Sequence, residues 1–552
     1  MRHAVLLLVL ISAATFALGL DRPAITESDE AYYAEASREM LESGDWLTPR
    51  FNYTERFQKP VLYYWVTASV YRAAGVGEAQ ARAGSALAGL GLVLLTFACG
   101  RRWYDERTGL LAGVVLATSL GCVAVARLSL PDLPLAFFIS LAIWAGFVAV
   151  FERPRHPRRW YLLAGAAAGL AFLTKGPLGL VIPAIVLAPP FFLERGWRRL
   201  RPVDLMLAAL VCVAVSVPWY AAMTLEHGPR YLRGFFVGDN LERFATTTFN
   251  PPRSVFFYVP VVLAGLLPWS PFLALGVKPA WHAWTHRCRP GRVELRLLGW
   301  VLLPFLLFPA SIGKQPRYIL PMLPPLALGL AVLLRSASTT LPPLPAAQPR
   351  LFRILACVAG MLVVVLGLLL FRVRPLLLEV PDGRVALGSL ALLLAGLAVV
   401  LAALSPRWRL VPALIAASGL VLVVVLQFAL LTTRGTEPVR AMAQHVLEQR
   451  RAAEPVAPYG IFVRNLVFYT HVEQVDLFNR RPHLVNYLSR PDRVLAVMRE
   501  RDFEALRSSG FPNLRRLATL TYFDAATAKP RTLLWPDPER DLVTAVLIDN
   551  GR

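Results

Sequence analysis

Apolar residues in this chain gather in long blocks, with none of the regular alternation of an amphipathic surface, and short polar segments separate the blocks. A membrane span needs about 20 mainly apolar residues. Thirteen blocks approach that length, near 4–20, 80–98, 108–127, 133–151, 160–174, 177–193, 204–224, 255–277, 296–312, 317–335, 351–371, 384–404 and 409–431. The odd count depends on 160–193, where Thr174-Lys175-Gly176-Pro177 is either a break between two short spans or a polar kink in one long helix. The pattern predicts an all-α polytopic domain over 1–431 with about 13 transmembrane helices.

Beyond 431 the blocks stop. Residues 432–552 carry helical patterns at Pro438 to Arg451 and Arg493 to Arg507. Strand-like runs fall at Gly460–Val463, Leu517–Tyr522, Thr532–Trp535 and Leu542–Ile548, which reads as a small α/β domain. It has no Cys, no metal-spaced His cluster and no phosphate loop, and an accessory role is expected for it.

Composition agrees: 56% of the 552 residues are hydrophobic and 17% charged, against about a quarter charged in soluble domains, which excludes disorder and argues against an ordinary soluble enzyme. The net charge of +22 suggests nucleic acid until the charges are sorted by loop. With a cytoplasmic N-terminus, the cytoplasmic segments are Arg101-Arg102 to Arg107, Arg153 to Arg159, Arg195 to Arg201, Lys278 to Arg292, and Arg407 with Arg409. All are basic, as the positive-inside rule requires. The excess is mostly a topology signal, and no nucleic-acid partner is expected. Residues 1–20 read as a first span or as a cleaved signal peptide led by Arg2 and His3; no small-x-small site precedes Asp21, and both readings give one orientation. The five cysteines form no disulfide framework and are expected to be unpaired.

The same topology sends 21–79, Arg127 to Asp132, 225–254 and Ser311 to Arg317 to the extracytoplasmic face, together with 432–552. In the 21–79 loop, Ala31 to Leu41 and Val61 to Tyr71 suit short interfacial helices, with Tyr63, Tyr64 and Trp65 in the headgroup layer; a solvated connector is the alternative. Ionisable residues at span ends are costly unless paired or used. On this face stand Asp29-Glu30, Phe57-Gln58-Lys59-Pro60, Arg127 with Asp132, Lys175, Asp239-Asn240-Leu241-Glu242-Arg243-Phe244, and Lys314-Gln315-Pro316-Arg317-Tyr318. Asp29, Glu30 and Asp132 also suit helix N-termini, so capping competes with catalysis at each. Their gathering on one face fits a substrate with a phosphate headgroup and an apolar tail: cations hold the phosphate as it leaves, and a carboxylate orients or deprotonates the acceptor.

At these residues the chain resembles a known family. Asp29-Glu30, Gln58-Lys59-Pro60, Arg127 to Asp132, Leu173-Thr174-Lys175-Gly176, Phe235-Phe236 to Arg243-Phe244, and Arg317-Tyr318 to Pro321 with Pro324 look like the ordered motifs of bacterial polyisoprenyl-phosphate-dependent glycosyltransferases of the GT-C fold. Within these, the chain is most similar to the lipid A 4-amino-4-deoxy-L-arabinose transferases. The resemblance implies inverting transfer of a sugar from undecaprenyl phosphate to a periplasmic acceptor such as a lipid A phosphate, by a bacterial inner-membrane protein, and a monomer is expected. It implies Asp29 and Asp132 as active-site acids with Glu30 beside them, Lys59 and Arg243 on the donor phosphate, and Lys175 and Arg317 in the same role less securely. Tyr32, Tyr33, Arg127 and Tyr318 are expected next to substrate. The chain has no Asp-x-Asp, consistent with a lipid-linked donor. One departure stands out: the family's metal-binding Glu and His correspond to Gln58 and Asn240, or to Asp239 if the alignment shifts by one, so no metal cofactor is expected to be required. Two rivals remain: the same scaffold acting on a protein or another glycolipid, and a lipid or solute transporter, which the lack of an internal repeat disfavours.

Overall fold

The computed structural model describes residues 1–152, 154–242, 253–286, 291–338, 349–378, 380–427, 437–524 and 528–552. Each of the thirteen apolar blocks is helical where described. Among the described residues, eight helices are long and apolar enough to cross a membrane, or up to ten if two bent pairs each count as one span. Blocks 108–127 and 255–277 are the bent pairs, Glu106–Ala117 with Leu120–Ala126 at 61° and Val255–Gly265 with Ser270–His282 at 108°. Blocks 4–20 and 177–193 are the shorter apolar helices Arg2–Ala17 and Leu178–Leu193. Block 160–174 lies in the helix Pro157–Lys175, whose ends carry Arg158, Arg159 and Lys175.

The 160–193 stretch is two helices. Gly176 ends the first at φ +78°, a left-handed conformation that favours glycine, and the ring of Phe235 would lie 2.6 Å from a Cβ there. The second helix then packs back on the first so closely that a Cβ on Gly179 would meet the Ala171 backbone at 2.4 Å. This tight return fixes Lys175 at a helix end.

The two helices expected in the 21–79 loop are present, as Ser28–Ser43 and Leu62–Ala74. Glu27 caps the first, its side chain accepting from the Glu30 N–H at 2.7 Å. Tyr63 and Tyr64 correct the headgroup expectation: both are fully buried, Tyr64 packing parallel to Tyr33 at 5.3 Å and Tyr63 edge-on to it at 5.4 Å. Each hydroxyl has protein partners, the Ser85 and Ser129 hydroxyls for Tyr63 and the Arg56 guanidinium for Tyr64, so the rings enter the core without losing hydrogen bonds.

In the C-terminal region the helix Pro438–Gln449 is found as expected. A four-stranded sheet follows in the order Val456–Pro458, Leu495–Arg499, Leu542–Asp549, Arg515–Phe523, with the first pair parallel and the other two antiparallel. Three expectations are corrected. The first strand precedes 460–463; 495–499 is a central strand ahead of a helix confined to Glu500–Ser508; and 532–534 lie in the helix Pro530–Leu534, with Trp535 just past its end. Leu495 to Met498 are buried on both faces, so their strand has no alternation to read. Pro530, whose missing N–H costs nothing in a first turn, starts a helix where a strand was expected.

Polar contacts seat this region on the 21–79 loop. Asn52 and Gln474 exchange two hydrogen bonds of 2.8 Å, and the Asn465 amide donates to Ile25 O at 2.9 Å. The Tyr469 hydroxyl accepts from the Ile25 N–H at 2.7 Å and donates to Glu78 at 3.0 Å.

Candidate active site

Element ends converge on one cluster of charges. Asp29 lies in the first turn of Ser28–Ser43, Asp132 is the first residue of Asp132–Phe151, Lys175 is the last of Pro157–Lys175, and Arg317 begins the turn that leads into the span Pro316–Ala337. Arg317 joins the acids: its guanidinium hydrogen-bonds Asp29 and reaches Asp132 at 3.5 Å and Glu27 at 3.4 Å. The fork of five N–H donors makes arginine able to serve three carboxylates at once. Lys175 donates to the other Asp132 oxygen at 2.5 Å, and its ammonium stands 5.1 Å from the centroid of the Tyr318 ring. Lys59 is paired with the buried Asp239.

Capping therefore does not account for either aspartate. Glu27 takes the cap position ahead of Asp29, and the helix at Asp132 has no side-chain cap bond. Asp132 is buried, Asp29 about one-third exposed, so the cluster has a closed end and an open one. Burial pushes the Glu27 carboxyl above its ordinary range, with the neighbouring Asp29 charge adding to this and Arg317 opposing it.

Other expected residues fall elsewhere. Glu30 is buried with both oxygens engaged: Oε1 accepts from Arg82 Nε at 2.7 Å and from the Ser129 N–H at 2.9 Å, and Oε2 accepts from Arg82 at 3.2 Å. Arg82 also donates to the Leu20, Pro23 and Ala24 carbonyls, so this pair ties the chain segments around the site. Arg127 donates to Thr15 O at 3.0 Å and Leu18 O at 2.7 Å, closing the end of the first apolar helix away from the cluster's ion pairs. Tyr33 is buried against Tyr63 and Tyr64. Tyr32 faces a cavity of about 1160 Å³ between residues 51–58 and the C-terminal region, which Gln58 also lines. Arg243 and Phe244 lie outside the described residues.

A divalent metal fits the remaining donor set poorly. Gln58 is an exposed amide, Asn240 turns its amide nitrogen to Phe235 O at 2.8 Å, and Asp239 is engaged by Lys59. Two residues with clear structural roles were not singled out from sequence: Arg82 and Arg56. Arg82, a lone cation inside an apolar block, carried the signal that could have found it.

Comparison with known proteins follows this geometry. Residues 7–227 match the family model described as dolichyl-phosphate-mannose-protein mannosyltransferase. The undecaprenyl phosphate-alpha-4-amino-4-deoxy-L-arabinose arabinosyl transferase of Edwardsiella ictaluri is 36% identical over 313 residues, 55% of this chain and 54% of that protein. The chain thus spans about half the length of the curated relatives it matches. In three dimensions it is similar to ArnT from Cupriavidus metallidurans bound to undecaprenyl phosphate, with TM-score 0.73, 23% identity, and coverage of 99% of this chain and 98% of that one. The apo oligosaccharyltransferase of Archaeoglobus fulgidus is more distant, with TM-score 0.55, 14% identity, and coverage of 90% and 69%. Full-length superposition on ArnT shows that this chain has the multi-pass membrane GT-C fold, the architecture its ordered motifs resemble.

Proposed function

We propose that this protein is an integral membrane glycosyltransferase that moves a sugar, 4-amino-4-deoxy-L-arabinose by analogy with its relatives' names, from undecaprenyl phosphate to a lipid A phosphate or similar acceptor, with inversion. The observation that carries this reading is the joining of Asp29 and Asp132 through Arg317, flanked by Lys175 at the end of an apolar helix and by Lys59 in the loop ahead of another. A carboxylate-rich site with lysine and arginine partners at a lipid boundary suits a donor whose leaving group is a phosphate on an isoprenoid tail.

In the reaction the bond between the anomeric carbon and the phosphate oxygen breaks while an acceptor oxygen attacks from the opposite face. Lys59 and Lys175, each now held by an aspartate, exchange that partner for the phosphate and stabilise the charge it gains on leaving. Arg243 shares this task in the reading drawn from the motifs. Asp29, at the open end, orients the acceptor; a phosphate acceptor is already ionised at neutral pH and needs no strong base, whereas a hydroxyl would give its proton to this carboxylate. The amides at Gln58 and Asn240 support a site that works without a resident divalent metal. The motif topology supports an inner-membrane protein with a cytoplasmic N-terminus, a periplasmic C-terminal region and a monomeric working unit.

A protein acceptor is the second reading, favoured by the family model over 7–227. Purified protein in lipid nanodiscs, supplied with the undecaprenyl-phosphate-linked sugar and lipid A, tests both. Transfer to lipid A is expected, with turnover abolished by Asp29→Asn and separately by Lys59→Ala at normal membrane expression. Near-normal turnover in both variants would sink the site assignment, and a stoichiometric transition metal surviving extensive washing would overturn the metal-free reading.

A further inference from the structure

The cavity lined by Tyr32 and Gln58 also holds two arginines, Arg56 and Arg464. Arg56, in the loop before Lys59, lies over the Tyr32 ring with its guanidinium carbon 3.8 Å from the centroid and donates to the Tyr64 hydroxyl at 3.2 Å. Arg464, from the C-terminal region, lies over the same ring at 4.5 Å. Among the described residues neither makes an ion pair. Of the four acids that line the same cavity, Glu55 pairs with Arg230 at 3.3 Å and Glu454 with Arg493 at 2.8 Å, while Glu473 and Asp476 make no ion pair with either arginine. Two like charges held over one aromatic ring, partly withdrawn from water, repel each other unless an anion joins them.

Their placement relates this pair to the reacting acids. Tyr32 is three residues from Asp29 on one helix and so shares its face. Asn465, the residue after Arg464, is bound to the backbone carbonyl of Ile25 just ahead of that helix. Both arginines are thereby fixed relative to the acceptor end of the cluster.

We propose that Arg56 and Arg464 form a phosphate-binding site for the acceptor, a phosphorylated glycolipid headgroup, and that the C-terminal region contributes to substrate recognition through Arg464. The assignment rests on the transfer reading for the word acceptor. Guanidinium forks match phosphate oxygens, and their withdrawal from bulk water strengthens each charge-assisted bond. With Glu55 and Glu454 engaged by other arginines, the two guanidinium groups over Tyr32 make this corner of the cavity cationic.

The test uses the full chain in nanodiscs, with lipid A and phosphatase-treated lipid A as probes, in a binding assay without donor and in a transfer assay with it. Arg464→Ala should weaken lipid A binding and raise its KM by roughly tenfold or more, the loss of one charge-assisted pair, with donor KM unchanged. Arg464→Lys should recover part of the affinity, which also controls for folding. Binding of the phosphatase-treated lipid should be weak in the wild type and insensitive to the substitution. Unchanged lipid A binding in Arg464→Ala, or an equal loss for both lipids, would overturn the proposal. So would full displacement of lipid A by millimolar inorganic phosphate, which would make this a site for free anions. If the wild type transfers no sugar yet binds lipid A in an Arg464-dependent way, the transfer reading fails and the phosphate site stands. If it transfers sugar and Arg464→Ala matches it in both assays, the site fails and the transfer reading stands.

Discussion

Adjacent acids, Asp29 and Glu30, have opposite fates, and the difference can be measured. Asp29 is partly exposed and shares Arg317 with Asp132, whereas Glu30 neutralises a fully buried Arg82. Removing one partner of a buried pair leaves an uncompensated charge and costs about 3–5 kcal/mol. Glu30→Gln is therefore expected to lower the melting temperature and yield sharply in a fluorescence-detected size-exclusion assay, while protein that does fold retains donor affinity. Wild-type stability combined with lost turnover would instead make Glu30 a catalytic residue. The acids were legible in the sequence because a lone carboxylate beside an apolar block is unusual. Their partners were not, because the pairing of Asp29 with Arg317 spans 288 positions and that of Lys59 with Asp239 spans 180. Which acid faces an arginine in the core and which faces the site is decided by helix rotation, and one-dimensional spacing at neighbouring positions does not carry it.

At the scale of elements, the helix Ser28–Ser43 contains a second buried carboxylate pair. Arg38 grips Glu35 through two bonds of 2.7 and 2.8 Å and also reaches Glu42 at 2.7 Å. Glu39 stands beside them with Oε2 accepting from the Tyr53 N–H at 2.9 Å and Oε1 buried without a partner among the described residues. Burial first, and then the charge of Glu35, push its carboxyl up to about 8, against the opposing pull of the Tyr53 N–H and Arg38. A folded state that holds this proton more tightly than the unfolded chain gains stability that is complete below the ordinary carboxylate value, near 4.5, and is lost as pH rises through about 8. Glu39→Gln keeps the shape and removes the titration. Its melting temperature should vary less between acidic and mildly alkaline pH than that of the wild type, with the variant relatively more stable at the alkaline end. An equal pH slope in both proteins would place the titration elsewhere. This helix was legible to within about three residues at its start, since its cap and apolar face are local signals. The strands at 456–458 and 495–499 were not, because a short strand buried on both faces lacks the period that distinguishes it from helix.

For the molecule as a whole, the excess of positive charge divides into basic connecting segments and a smaller set of cations around the site, to which the C-terminal region adds Arg464 because it sits on the 21–79 loop. The seam combines polar contacts with an apolar patch in which Phe468 packs with Ile25, Ala31, Ala34 and Tyr71. Tyr469 is its central contact, since one hydroxyl accepts from Ile25 and donates to Glu78, and Glu78 in turn accepts from Arg440 at 2.9 Å. Removing that hydroxyl leaves the Ile25 N–H and one Glu78 bond unmet, a cost of about 1–3 kcal/mol for a buried group. That is too small to unfold a chain with this much buried apolar surface, and its effect falls on the seam where both bonds are made. Tyr469→Phe should therefore melt as a folded protein and bind undecaprenyl phosphate normally, because Lys59, Lys175 and Arg317 belong to the helical part. Hydrogen exchange should rise at 21–27 and 465–470, and the acceptor KM should increase through loss of the fixed distance between Arg464 and Arg56. If exchange rises at the seam while acceptor KM stays constant, the C-terminal region is a structural cover with no part in recognition. If neither changes, the remaining contacts of Asn465 and of Asn52 with Gln474 suffice to hold the seam.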